Sequence, residues 1–127
     1  MEKKRILIVE DEESLLKLET ILLTVKGFEV TGTTTGVDAL AKIASEQFDL
    51  VLLDVVLPDL DGLEVCRRIR QEPRSAQLPI VMLSAKKSPQ DQEQGMASGA
   101  TAYLAKPFKS AIIVETIETL VTRPAGA

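Results

Sequence analysis

The stretch from Phe48 to Gly62, FDLVLLDVVLPDLDG, constrains this chain more than any other. Four consecutive apolar residues, Leu50 to Leu53, end at a single carboxylate, Asp54, and a proline loop and the pair Asp61-Gly62 follow. A short unbroken apolar run closed by turn residues leaves no face for water. It reads as a strand covered on both sides, the condition of a parallel sheet. Asp54 then lies at the carboxyl end of that strand, the edge where open α/β sheets bind ligands.

The rest of the chain repeats the alternation. Arg5 to Val9 (RILIV) reads as a first buried strand, running into Glu10-Asp11-Glu12-Glu13. Leu15, Leu18, Leu22 and Val25 follow at helical spacing, predicting one buried face and a stop at Gly27. Phe28 to Thr33 is a more polar strand that suits a sheet edge. Thr35 has the chemistry of a helix cap, and the helix to about Glu46 should bury Ala39, Leu40 and Ile43. After Asp61-Gly62, a third helix turns Leu63, Cys66 and Ile69 inward and leaves Arg67, Arg68 and Arg70 in solvent. Pro79 to Leu83 is a fourth strand, ending at Ser84. A weak polar helix spans about Ser88 to Ser98, and Thr101 to Ala105 is a fifth strand ending at Lys106-Pro107. The last helix, about Phe108 to Thr122, buries Ile113, Ile117 and Leu120 and exposes Ile112. The order βαβαβαβαβα implies an α/β domain over residues 1–122, with 123–127 as a tail or the start of a linker.

Composition removes whole classes of chemistry. The chain has no histidine and one cysteine, which excludes histidine acid–base work, His-ligated zinc and Cys-cluster metal sites. The net charge of −4 argues against direct binding of nucleic acid. No apolar run approaches the roughly 20 residues of a membrane helix. The expected setting is the cytoplasm, with no membrane contact.

Five parallel strands deliver the residues after their ends to one edge: Glu10 and Asp11, Asp54, Ser84, and Lys106. Three carboxylates held together need a compensating cation. An all-oxygen donor set with room for water suits Mg²⁺. Beside such a cation an aspartate is a nucleophile toward phosphorus, with Lys106 and Ser84 as partners for phosphoryl oxygens.

At these residues the chain resembles the bacterial two-component response-regulator receiver domain. IVEDEE, LLDVVLPDLDG, PIVMLSA and GATAYLAKPF are similar to that family's four signature blocks, over roughly Lys4 to Val121. The resemblance implies a flavodoxin-like (βα)5 fold with a five-stranded parallel sheet in the order 2-1-3-4-5. It implies that a sensor histidine kinase, or a phosphotransfer protein, phosphorylates Asp54. It implies Mg²⁺ held by Asp11, Asp54 and the backbone carbonyl of Val56, with Glu10 acting through water. Ser84 and Lys106 match the positions that hold the phosphoryl oxygens, and Lys106-Pro107 matches a peptide that is usually cis. Ser84 and Tyr103 match the family's switch pair, which alters the face made by the fourth helix, fifth strand and fifth helix. That face would engage a downstream effector or a second copy of the chain. Such a domain catalyses only its own phosphorylation and dephosphorylation.

Some positions depart from the family. Thr101 and Ala102 stand where many members carry two acidic residues, and the last helix has no basic residue before Arg123. Both argue against a dimer built from salt bridges on that face. Val56, beside the pocket, brings no polar group to orient a water, so slow loss of the phosphoryl group is expected. Three other functions compete: a degenerate receiver that binds partners without phosphate, an aspartate-nucleophile phosphatase, and a flavin domain. The phosphatase needs a second aspartate where Val56 stands. The flavin domain needs a hydroxyl-rich loop where Glu10 and Asp11 stand.

Overall fold

The computed structural model describes residues 3–122, so the tail expected at 123–127 lies outside the described residues. Strands β1 (Arg5–Val9), β2 (Glu29–Thr33), β3 (Leu50–Asp54), β4 (Ile80–Ser84) and β5 (Ala102–Ala105) alternate with helices α1 (Glu13–Val25), α2 (Gly36–Ser45), α3 (Gly62–Gln71), α4 (Pro89–Ala97) and α5 (Ser110–Val121). All strand pairs are parallel, and the order is β2-β1-β3-β4-β5. The polar strand β2 is at one edge, as its composition predicts, and the wholly buried β3 is central.

Side chains alternate along the central strands and divide the core into two layers. Leu7, Val9, Val51, Leu53 and Met82 pack with Ala39 and Ile43 of α2 and Val65, Cys66 and Ile69 of α3. Ile6, Ile8, Leu50, Leu52, Val81 and Leu83 pack with Leu23 of α1 and Ile113, Val114 and Ile117 of α5. Each fully buried aliphatic side chain stabilises the fold by roughly 1.5–3 kcal/mol. This is why the interiors of β1, β3 and β4 are wholly apolar, with polar residues only at their ends.

Two sequence expectations change. Helix α1 does not turn Leu15, Leu18, Leu22 and Val25 inward as a set; Leu18 is 56% exposed and Val25 77%. Its buried face is Leu16, Glu19 and Leu23, with Leu22 at the margin. Leu15, Leu16, Leu18, Ile21, Leu22, Leu23 and Val25 together cover more than half of the helix circumference, so the periodicity has no unique phase. The sheet chooses the phase, because Gly32 of β2 leaves a socket that Leu16 fills, with a Cβ there falling 3.1 Å from a Leu16 methyl. The second change is Arg70. It is not on the solvated face with Arg67 and Arg68, which pair with Glu64. Its guanidinium donates to the carbonyls of Leu78 (2.5 Å) and Gly99 (2.9 Å) and ties α3 to the start of β5.

Candidate functional site

The carboxyl edge is assembled by strand ends and by one close backbone approach. Gly62 starts α3 against the end of β3: a Cβ there would lie 2.5 Å from the Asp54 carbonyl oxygen and 2.6 Å from Val55 Cα. Only glycine permits that approach. Asp61 caps α3, its carboxylate accepting from Leu63 N–H at 2.9 Å. Asp59 accepts from the N–H groups of Gly36 and Val37, each at 2.9 Å, joining the β3–α3 loop to the start of α2. Those two backbone bonds hold its carboxyl below the usual range.

Within this frame the acidic residues converge. Lys106 Nζ donates to Glu10 Oε1 and to Asp54 Oδ2, each at 2.9 Å. Asp54 Oδ1 accepts from Val56 N–H at 3.0 Å, and Glu10 Oε2 accepts from Glu12 N–H at 3.3 Å. Carboxylate oxygens of Glu10, Asp11 and Asp54 all lie within 4.8 Å of one another, with Asp11 exposed and the other two buried. Burial pushes Glu10 up to about 7; the charge of Asp54 acts the same way, and Lys106 opposes both. Burial works to lower Lys106, but its hydrogen bonds to Asp54 and Glu10 outweigh this and raise it. The ammonium therefore stays charged between two carboxylates. The three carboxylates and the loop carbonyls are all hard oxygen donors. Opposite ligands of Mg²⁺ stand about 4 Å apart, so a cluster of this size fits such an ion with little rearrangement.

The other anticipated residues are on the same edge with different partners. Ser84 is fully buried, and its Oγ accepts from Lys86 N–H at 3.0 Å. The Tyr103 hydroxyl donates to the Lys86 carbonyl, and its ring lies against Gly95 of α4, where a Cβ would fall 2.5 Å from Cδ2. One residue, Lys86, thus holds both side chains, Ser84 through its N–H and Tyr103 through its carbonyl, though neither hydrogen-bonds to Asp54. The Lys106–Pro107 peptide is cis.

Sequence reasoning missed Glu19. It is 1% exposed, and neither carboxylate oxygen has a hydrogen-bond partner. Burial pushes its pKa up to about 8, and the charge of Glu10 adds to this. The one available signal was its place between Leu16 and Leu23, at the three- and four-residue steps of a buried face.

This fold, with an acidic cluster and a lysine at the strand ends, defines a class of signalling domain. A sequence profile of the response regulator receiver domain matches residues 6–118. The chain is 39% identical over 120 residues to the alkaline phosphatase synthesis transcriptional regulatory protein PhoP of Bacillus subtilis, and 37% over 119 residues to the phosphate regulon transcriptional regulatory protein PhoB of Rhizobium meliloti. Each alignment covers 94% of this chain but only 49% and 52% of those relatives, so the chain spans about half their length. Among solved structures, the chemotaxis response regulator CheY4 of Vibrio cholerae superposes with a TM-score of 0.89 at 31% identity, covering 94% of this chain and 99% of that one. The receiver domain of a Pseudomonas aeruginosa sensor histidine kinase, solved with a magnesium ion coordinated in its active site cleft, gives 0.89 at 30%, covering 96% and 100%. The chain belongs to the response regulator receiver domain family, with the flavodoxin-like fold of that family, and is a two-component signalling domain. Among the described residues no helix is long and apolar enough to cross a membrane.

Proposed function

We propose that residues 1–122 form a receiver that accepts a phosphoryl group on Asp54 from a histidine kinase or a phosphotransfer protein. The observation that carries this reading is the Lys106 ammonium, 2.9 Å from both Asp54 and Glu10, with Asp11 in the same cluster. A buried aspartate held beside a fixed cation is an oxygen nucleophile aimed at a site that favours negative charge. Asp54 Oδ attacks phosphorus, the bond from phosphorus to the donor nitrogen breaks, and that nitrogen leaves with its electron pair. An acyl phosphate on Asp54 remains.

Asp11, Asp54 and the Val56 carbonyl, with Glu10 through water, would hold Mg²⁺. The ion, when bound, supplies positive charge to the equatorial phosphoryl oxygens. Lys106 turns its ammonium from Asp54 Oδ2 to one phosphoryl oxygen, and Val56 N–H, already on Asp54 Oδ1, orients the carboxylate. Ser84 gives up its bond with Lys86 N–H and donates its hydroxyl to another phosphoryl oxygen. Because Lys86 also holds Tyr103 through its carbonyl, moving Ser84 shifts the loop on which Tyr103 is anchored. The added charge of about −1.5 to −2 is thereby passed to the face formed by α4, β5 and α5. That face then changes its affinity for an effector or for a second copy.

Intact mass after incubation with Mg²⁺ and acetyl phosphate tests the reading. The expected result is a Mg²⁺-dependent gain of one phosphoryl group, absent from Asp54→Ala. A folded native chain that gains nothing would leave an interaction module that works without phosphate. The phosphoryl group should be lost faster from Val56→Asn than from the native chain; an equal rate would refute the role given to Val56.

A further inference from the structure

The face that the proposed function uses for output carries a chemical signature of its own. Ala102 of β5 and Ile112, Glu115, Thr116, Thr119 and Leu120 of α5 line an open groove of about 380 Å³. Ile112 is a large apolar residue left 44% exposed beside it. Helix α5, SAIIVETIETLV, contains two acidic residues, Glu115 and Glu118, and no basic one. Both glutamates are exposed, and among the described residues neither enters an ion pair. An apolar channel with Glu115 in its lining, and Glu118 exposed on the same helix, asks for a partner with an apolar stripe and basic flanks.

The same charges disfavour the other occupants. A two-fold dimer through this face sets the patch against itself. Within α5 there is no lysine or arginine, and Lys109 at its N-cap stands six residues before Glu115, so such a dimer would bring Glu115 and Glu118 toward their own copies with little to neutralise them. Nucleic acid would be repelled by the same groups. At 12 residues α5 is about 18 Å long, which matches a partner helix of three to four turns.

We infer that the β5–α5 groove is the docking site for a basic amphipathic helix of another polypeptide. Its apolar stripe covers Ile112, Ala102 and Leu120, and its lysines or arginines meet Glu115 and Glu118. The inference rests on the receiver reading for when the face is used, and on the groove and its charge for what it takes.

The test uses the full chain, with and without prior treatment with acetyl phosphate and Mg²⁺. Three labelled helical peptides of about 15 residues are titrated by fluorescence anisotropy. One has a leucine stripe flanked by lysine and arginine, the second has the same stripe flanked by glutamate, and the third is a scramble of the first. The basic striped peptide is expected to bind roughly tenfold more tightly than the scramble, and the acidic one not to bind. Ile112→Lys, and separately Glu115→Lys with Glu118→Lys, should each weaken it roughly tenfold. Val25→Lys, the same charge change as Ile112→Lys but on α1, should leave it unchanged. Equal binding of the scramble, indifference to Ile112→Lys, or preference for the acidic peptide would overturn the inference. So would a dimer of the chain, seen by sedimentation, that Ile112→Lys abolishes. Mass spectra of the same samples separate the two readings. A chain that binds the peptide without gaining a phosphoryl group refutes only the acceptor role. A chain that gains it and binds no peptide refutes only the groove.

Discussion

Replacing Glu19 by leucine should stabilise this domain, and by an amount that grows with pH. In the folded chain Glu19 is 1% exposed with both oxygens unpartnered, and its pKa is pushed from 4.5 up to about 8. The folded state therefore keeps a proton that the unfolded state has already lost throughout the interval between those values. Wherever the folded state binds more protons, stability falls as pH rises. The contribution of Glu19 is most favourable below pH 4.5, declines through neutrality and levels off above about 8. At roughly 1.4 kcal/mol per pH unit, the full interval costs about 5 kcal/mol, and the part completed at pH 7 about 3 kcal/mol. That is a large fraction of the roughly 5–15 kcal/mol that holds a domain together. Leucine removes the titration and lets the position join Leu16 and Leu23 in the core layer. Urea unfolding of the native chain and Glu19→Leu at about pH 5, 7 and 8.5 should give a stability gap that widens by about 4 kcal/mol across the series. Glu10, also displaced upward, is present in both proteins, so its own burial cancels and the difference reports Glu19 together with its repulsion by Glu10. A gap that stays constant with pH, or a leucine variant less stable at pH 8.5, would show that the carboxylate has a partner or reaches water.

Three further outcomes follow from contacts at the site. Lys106→Met removes the cation between two buried carboxylates, so Glu10 should titrate above its present value of about 7 and stability should fall by roughly 3 kcal/mol at pH 8.5, less at pH 6; NMR titration of Glu10 and urea melts at both pH values check this. Gly62→Ala drives a Cβ to 2.5 Å from the Asp54 carbonyl, a backbone clash that no rotamer relieves, and should cost about 2–3 kcal/mol in urea unfolding while Gly27→Ala, whose Cβ meets nothing, shows only the smaller cost of a positive φ. Gly95→Ala puts a Cβ 2.5 Å from the Tyr103 ring, which can swing away; with one tyrosine and no tryptophan in the chain, tyrosine fluorescence and a phenol titration moving back down toward 10 will report its release, and an unchanged titration would refute the packing argument.

The fold and the acidic cluster were legible in the sequence for a physical reason. A strand buried on both faces must be apolar until it ends, so its last polar residue marks the sheet's edge. Glu10, Asp54, Ser84 and Lys106 each announce themselves by terminating an apolar run, and parallel topology alone brings them together. Helices carry weaker information. The phase of α1 was misread because its apolar residues cover more than half of the helix, and the error hid Glu19, an acid that no reader would choose for a core. Arg70 was misassigned because a helix pattern cannot reveal that four acceptors, the Ser75, Leu78 and Gly99 carbonyls and the Thr101 hydroxyl, stand within reach of its guanidinium.

By itself, then, the sequence determined the order of elements, the parallel sheet and the set of residues at the carboxyl edge, because hydrophobic periodicity and strand termination act locally along the chain. Only the tertiary structure decided which face of α1 is buried and that Lys106 lies between Glu10 and Asp54. Only it showed that one residue, Lys86, holds both Ser84 and Tyr103, and that α5 leaves a groove with Glu115 in its lining open beside β5. Those are relations between residues as far as 96 positions apart in the chain. They are set by how whole elements pack, and no local pattern encodes them.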